Sequence, residues 1–175
     1  LAEISLIAVD IGPGLFTGLR VGVASGKAIA QALRVPMITV SSLDLLAFPV
    51  RFTGRRIAAV IDARRNELFW AFYRQVPGGV QRVSEYAVSS PDDLASELLA
   101  RNEEYLLVGD GALRYHEVFD GIRKVELADG GFAHPSAASL VQLAHAQALR
   151  EQWVRPWEIT PLYLRKPDVD VNWVT

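Results

Sequence analysis

Apolar residues run from Ile7 to Val9, stop at Asp10, and give way to Gly12-Pro13-Gly14 and then to a run of small residues after Thr17. That order predicts a buried strand, a tight turn and a helix in one piece. Pro36 to Val40 repeats the strand signal, with proline at the tolerated first position and β-branched residues behind it. Ser41-Ser42 offers an N-cap for Leu43 to Phe48, whose leucines recur at helical spacing until Pro49. Strand, helix, strand, helix predicts a parallel pair with a crossover helix.

Past the polar break at Arg51 to Arg56 the pattern changes. Ile57–Ile61, Leu68–Tyr73 and Arg82–Val88 read as an antiparallel meander turning at Asp62–Asn66 and at Pro77-Gly78-Gly79. Ser90-Pro91-Asp92-Asp93 is a helix start, with a capping serine, proline at the first position and acids in the first turn, leading into Leu94–Ala100. Tyr105–Val108 reads as a buried strand ending in Gly109-Asp110-Gly111, followed by a helix through Tyr115, and Val125–Leu127 as a short strand. His134-Pro135-Ser136 opens a helix from Ala137 to Arg150, with Leu140, Leu143, Ala144 and Leu149 on one face. Trp153, Trp157, Tyr163 and Trp173 crowd a polar tail, where aromatics tend to pack back onto the domain. The stretches at Leu6–Gly12 and Leu106–Gly111 both place a strand before a glycine turn and a helix. If the halves are duplicates, the elements that would precede Leu1 are missing.

The first helix has an unusual surface: Gly14, Gly18, Gly22 and Gly26 recur every four residues and Ala30 continues the series. Residues four apart form a ridge. Each helical glycine costs about 0.5–1 kcal/mol relative to alanine. Close approach of another backbone to the smooth face is the offset such ridges permit. The ridge is expected to face another backbone, and with the turn and helix residues around it the candidate interface is Gly12, Pro13, Gly14, Phe16, Thr17, Gly18, Arg20, Gly22 and Gly26.

Composition narrows the chemistry. The chain has 175 residues, half of them hydrophobic, enough for one substantial core or two small ones. No apolar run approaches the roughly 20 residues that span a bilayer, and no secretion signal is evident, so a cytoplasmic location is the default reading. The absence of cysteine excludes disulfides and thiolate metal sites. Eighteen basic against twenty acidic residues argue against bulk electrostatic binding of nucleic acid.

Nucleotide motifs fit poorly. Gly22 to Lys27 is one residue short of a Walker loop, lacks its hydroxyl and lies inside the predicted helix. Gly12, Gly14 and Gly18 are spaced one residue too long for the dinucleotide fingerprint. The helix start at Gly14–Thr17 either binds an anion or is capped by Thr17 or a neighbour. His116, His134 and His145 form no metal-binding pair, and no nucleophile elbow is present. Asp10 and Asp110 stand at strand ends, as functional groups or as turn stabilisers. Arg64-Arg65 on a turn and Arg165-Lys166 in the tail are either solvated or contact phosphate or an acidic partner.

The segment Val9-Asp10-Ile11-Gly12-Pro13-Gly14-Leu15-Phe16-Thr17-Gly18-Leu19-Arg20-Val21-Gly22, with Pro36 and Ser41-Ser42-Leu43, resembles the TsaB (YeaZ) family. Ile61-Asp62-Ala63-Arg64-Arg65-Asn66-Glu67, Leu107-Val108-Gly109-Asp110-Gly111-Ala112 and Pro161-Leu162-Tyr163-Leu164-Arg165 follow in family order. Leu15 departs, since the family commonly has serine there, and the family's opening strands and helix have no counterpart before Leu1. The resemblance implies an actin-like (ASKHA, RNase H-like) α/β fold with mixed sheets and two subdomains. Residues 1–50 would be the remainder of the first, lacking its opening strands, and residues 51–175 the second. It also implies a non-catalytic subunit of the bacterial machinery that forms threonylcarbamoyladenosine beside the tRNA anticodon, despite an old glycoprotease-like label. Such a subunit takes no cofactor or metal and docks its glycine-ridged helix on the catalytic relative TsaD or on a second copy. The ATPase TsaE is a further partner, and tRNA is reached only through the complex. The competing reading is an enzyme of the same fold class, a peptidase-like hydrolase or an ATP user.

Overall fold

The structure, a computed structural model, describes residues 3–165. Lys166 and Trp173, singled out above, lie outside the described residues. Strand β1 (Ile7–Asp10) and β2 (Met37–Val40) pair in parallel, Ile7 opposite Met37 and Asp10 opposite Val40, joined by helix α1 (Phe16–Leu33). A parallel pair needs cover on both faces. On one face Val9 and Met37 pack with Val23 and Ala30 of α1. On the other, Ile38 and Val40 meet Leu140, Leu143 and Ala144. Helix α2 (Ser42–Ala47) follows, its first turn capped by the Ser41 hydroxyl, which accepts the Asp44 N–H at 3.0 Å.

A second sheet has the order β5 (Gly79–Arg82), β4 (Glu67–Val76), β3 (Arg56–Arg64), β7 (Tyr105–Val108), β8 (Val125–Leu127), with β6 (Ala87–Ser89) also on β4. Strands β3 (Arg56–Arg64) and β4 (Glu67–Val76) are antiparallel and longer than their apolar runs, so the turn is shorter than Asp62–Asn66. The expected third strand, Arg82–Val88, is instead two: β5 (Gly79–Arg82) and β6 (Ala87–Ser89), both on β4. Between them the Ser84 hydroxyl accepts the Phe72 N–H at 2.9 Å, a side chain standing in for the ladder.

Helix α3 (Pro91–Arg101) begins at a capping box made by Ser90 and Asp93. β7 (Tyr105–Val108) and β8 (Val125–Leu127) extend the sheet in parallel. The helix expected through Tyr115 is α4 (Asp110–Arg114), and a second short helix that was not expected, α5 (His116–Phe119), follows it. Phe72, Leu94, Leu107 and Phe119 fill one side of this sheet; Leu43, Ala59, Tyr73 and Val108 fill the side shared with α2.

The chain then returns to the first sheet. Helix α6 (Ala137–Ala148), capped by Ser136, packs against β1, β2 and α2. Val154 pairs with Met37 through hydrogen bonds of 2.9 and 2.8 Å, closing the outer edge of β2. Among the described residues, no helix is long and apolar enough to cross a membrane.

Candidate partner interface

The turn between β1 and α1 is held from inside. The Asp10 carboxylate accepts the Gly12 N–H at 2.8 Å and the Ser42 hydroxyl at 2.7 Å, and the Ser42 N–H donates to the Gly12 carbonyl at 2.8 Å. Burial pushes the Asp10 carboxyl above its ordinary value, against the opposing pull of the Gly12 and Ser42 hydrogen bonds. Gly12 has φ +97°, and a β-carbon there would lie 2.8 Å from Leu19 Cδ2. Gly12 and Pro13 are buried, so they set the course of the chain into α1 and are not surface groups. The N-cap position falls on Leu15, whose side chain makes no cap, which also removes Thr17 from that role.

The glycine ridge divides along its length. A row of residues four apart turns about 40° per step around a helix of 3.6 residues per turn, so it cannot keep to one face. A β-carbon at Gly26 would lie 2.4 Å from Val9 Cγ1, and Ala30 is fully buried. Gly26 therefore serves close packing of α1 on β1 within the chain, not the outer surface expected of it. At Gly14, Gly18 and Gly22 a β-carbon would meet nothing within 4 Å among the described residues. Beside them Leu15 and Val21 are each 62% exposed and Ile29 49%, and Phe16, on the other flank of the helix, is 48% exposed. Phe16, Thr17, Gly18, Arg20 and Gly22 are all exposed, but at 100° per residue Phe16 and Arg20 lie on the opposite flank of α1 from Gly18 and Gly22. A cavity of about 480 Å³ lies between β1, Gly18 and Gly22 of α1, and Leu140 of α6.

A strap, residues 154–165, borders the other flank of α1, the one that carries Phe16, Arg20 and Lys27. Lys27 Nζ donates to the Ile159 carbonyl at 3.0 Å, and the Leu162 N–H to the Ile11 carbonyl at 2.7 Å. Tyr163 stacks beside Phe16 with ring centroids 5.5 Å apart and accepts from Arg20 Nε at 2.9 Å. Trp153, Trp157 and Tyr163 stay about half exposed instead of folding inward. Sequence reading missed the pairing of Arg20 with Tyr163, which lie 143 positions apart. The signal it could have used is the apolar set Leu15, Phe16, Val21 and Ile29, none of which a two-sided core requires.

The remaining candidates sit elsewhere. Arg64, Arg65 and Asn66 have φ of 63°, 56° and 58° at the β3–β4 turn. The buried Asp62 carboxylate accepts the Arg64 N–H and pairs with the guanidinium groups of Arg64 at 3.1 Å and Arg114 at 3.5 Å. Arg165 reaches the same turn, pairing with Glu67 and the Arg64 carbonyl. Asp110 accepts the Asp62 N–H at 3.1 Å, so both strand-end aspartates fasten turns. His116 contacts the Leu113 carbonyl, and His116, His134 and His145 are all exposed. Among the described residues, no group of three or more His, Cys, Asp or Glu could hold a metal ion.

A parallel pair with its crossover helix, a larger mixed sheet and the helices between them define an α/β protein of the actin-like class. The family described as TsaD, tRNA N6-adenosine threonylcarbamoyltransferase, matches residues 1–173. An uncharacterized protein of Mycobacterium leprae is 37% identical over 168 residues, covering 96% of this chain and 40% of its own length. The tRNA threonylcarbamoyladenosine biosynthesis protein TsaB of Escherichia coli is 31% identical over 168 residues, covering 94% of this chain and 72% of its own length. A Pseudomonas aeruginosa crystal structure, described as similar to the peptidase YeaZ, superposes with a TM-score of 0.79 at 31% identity, over 94% of this chain and 75% of that one. The chain belongs to this family and, within it, to the TsaB (YeaZ) proteins.

Proposed function

We propose that this chain is a non-catalytic subunit that docks on a TsaD-type catalytic homologue in the machinery forming threonylcarbamoyladenosine on tRNA. The observation that carries the reading is the open side of α1: at Gly14, Gly18 and Gly22 a β-carbon would meet none of the described residues, and Leu15, Val21 and Ile29 are exposed beside them. Exposed apolar patches of this kind mark interaction surfaces. On this reading residues 1–50 supply the docking corner of one actin-like subdomain, and residues 51–175 supply the second subdomain together with the strap on the other flank of α1. The chemistry, the ATPase TsaE and contact with tRNA belong to the assembled cytoplasmic complex. In the absence of the catalytic partner, the same face is the surface on which two copies would meet.

Mixing the purified chain with the catalytic homologue and reading the mass by light scattering tests this. A defined heteromeric species is expected. Two unassociated proteins at micromolar concentration, or turnover of ATP by the isolated chain, would contradict it.

A further inference from the structure

Where β3 turns into β4, one buried carboxylate gathers more positive charge than it cancels. The Asp62 side chain is 3% exposed, and both of its oxygens are in use. Oδ1 accepts the Arg64 N–H at 2.9 Å, while Oδ2 meets Arg64 Nη1 at 3.1 Å and Arg114 Nε at 3.5 Å. The two guanidinium groups come from different elements, the turn and the end of α4, and converge on one oxygen atom. Each arginine side chain stays more than half exposed, at 55% and 56%. Arg65 is exposed on the same turn, and Arg165 reaches it from the strap with its charge met by Glu67.

Two guanidinium charges against one carboxylate leave a positive surplus at this surface, although the chain as a whole has a formal charge of −2. Like charges on exposed side chains ordinarily swing apart into water. Here the buried anion between them holds the two groups side by side. A guanidinium carries five N–H donors, more than a shared carboxylate oxygen can accept, so outward-facing donors remain. A carboxylate ligand is filled by one arginine fork, whereas a tetrahedral phosphate offers oxygens to two. The surplus therefore fits a phosphate group better than an acidic side chain.

We propose that Arg64 and Arg114 grip a backbone phosphate of tRNA, giving this chain a direct contact to the RNA through the β3–β4 turn and α4. The proposal rests on the docking reading, because the RNA is held by the assembled complex. Such a contact positions the nucleic acid without reading its bases. One local phosphate grip is also compatible with a composition that excludes binding by bulk charge.

The complex with the catalytic homologue, parent or variant, is titrated with unmodified tRNA from about 50 to 200 mM salt. Arg64→Gln and Arg114→Gln each leave the other guanidinium on Asp62, and urea unfolding checks each chain. They lie on different elements, so if one fails to fold the other decides. Arg123→Gln is the control: it is exposed and precedes β8, at the opposite end of the sheet from Arg64, since β3, β7 and β8 run in one direction. Each test variant should bind tRNA about three- to tenfold more weakly and lower the slope of log affinity against log salt by about one, with the control unchanged. Affinity and slope equal to the parent, an equal loss in the control, or a parent complex that does not bind tRNA overturns the phosphate contact and leaves docking intact. Weaker association with the homologue at unchanged tRNA affinity assigns the pair to a protein contact and also overturns it. Failure of the parent chain to associate with the homologue, read by light scattering without RNA, removes the docking reading and this proposal with it.

Discussion

The chain has two corners where a strand meets a glycine turn and then a helix, one at Gly12 and one at Gly109, and they pack in opposite ways. At the second, a β-carbon on Gly109 would lie 2.1 Å from the Val60 carbonyl oxygen, and one on Gly111 2.8 Å from the Ile61 carbonyl carbon. The five-residue α4 is pressed against the backbone of β3, and its glycines are explained within the chain. At the first corner only Gly12 and Gly26 are explained in that way, by Leu19 and Val9. At Gly14, Gly18 and Gly22 a β-carbon would meet none of the described residues, although at Gly18 and Gly22, inside α1, glycine lowers stability by about 0.5–1 kcal/mol relative to alanine. The same local pattern thus builds a sealed helix in one half and an open one in the other. At Gly14, Gly18 and Gly22 no described residue is the close neighbour that Val60 and Ile61 are to Gly109 and Gly111.

The largest expected effect lies in the sealed corner. Gly109→Ala places a methyl group against the Val60 carbonyl at a position with φ +116°, and should lower stability by about 3 kcal/mol or more in urea unfolding. An unchanged midpoint would dissolve the contrast between the corners. Gly26→Ala should lose about 1–2 kcal/mol, since overpacking against Val9 exceeds the gain in helix preference.

Asp10 adds a pH dependence to the first corner. Its carboxyl is raised in the fold from 3.8, mainly by burial, so its contribution is fully present below about pH 4 and is lost as pH rises through the folded value. Asp10→Asn retains a carbonyl to accept from Gly12 and Ser42. The stability of the parent chain should therefore fall relative to Asp10→Asn between about pH 4 and pH 7, read from urea midpoints. A difference that stays constant with pH would show that burial does not govern this carboxyl. The smallest effect has the opposite sign. Gly18→Ala should raise the thermal stability of the isolated chain by about 0.5–1 kcal/mol, because a methyl group there meets nothing. A loss of stability would mean that Gly18 has an internal role.

Much of this contrast was legible from residue patterns. β1, its glycine turn and α1 follow from the break in hydrophobicity at Asp10, and α3 from Ser90-Pro91-Asp92-Asp93, whose capping box is formed. The parallel pairing of β1 with β2 followed from their connection through a helix. What escaped the sequence depends on distance in space. A four-residue period identifies a ridge but not the point where the ridge turns inward, and that is decided by Val9 on a neighbouring strand. The split of the third strand depends on Ser84 meeting the Phe72 N–H, and the cluster at Arg20 depends on a tyrosine at the far end of the chain. No local pattern encodes either meeting.

The most direct test of the open helix as a docking surface is Gly22→Leu, read for association with the catalytic homologue and for unfolding of the isolated chain. The account predicts loss of the complex in light scattering with a urea midpoint at or above that of the parent, since the added side chain starts from open space. A complex of normal stoichiometry and affinity, formed by a well-folded Gly22→Leu chain, would contradict it.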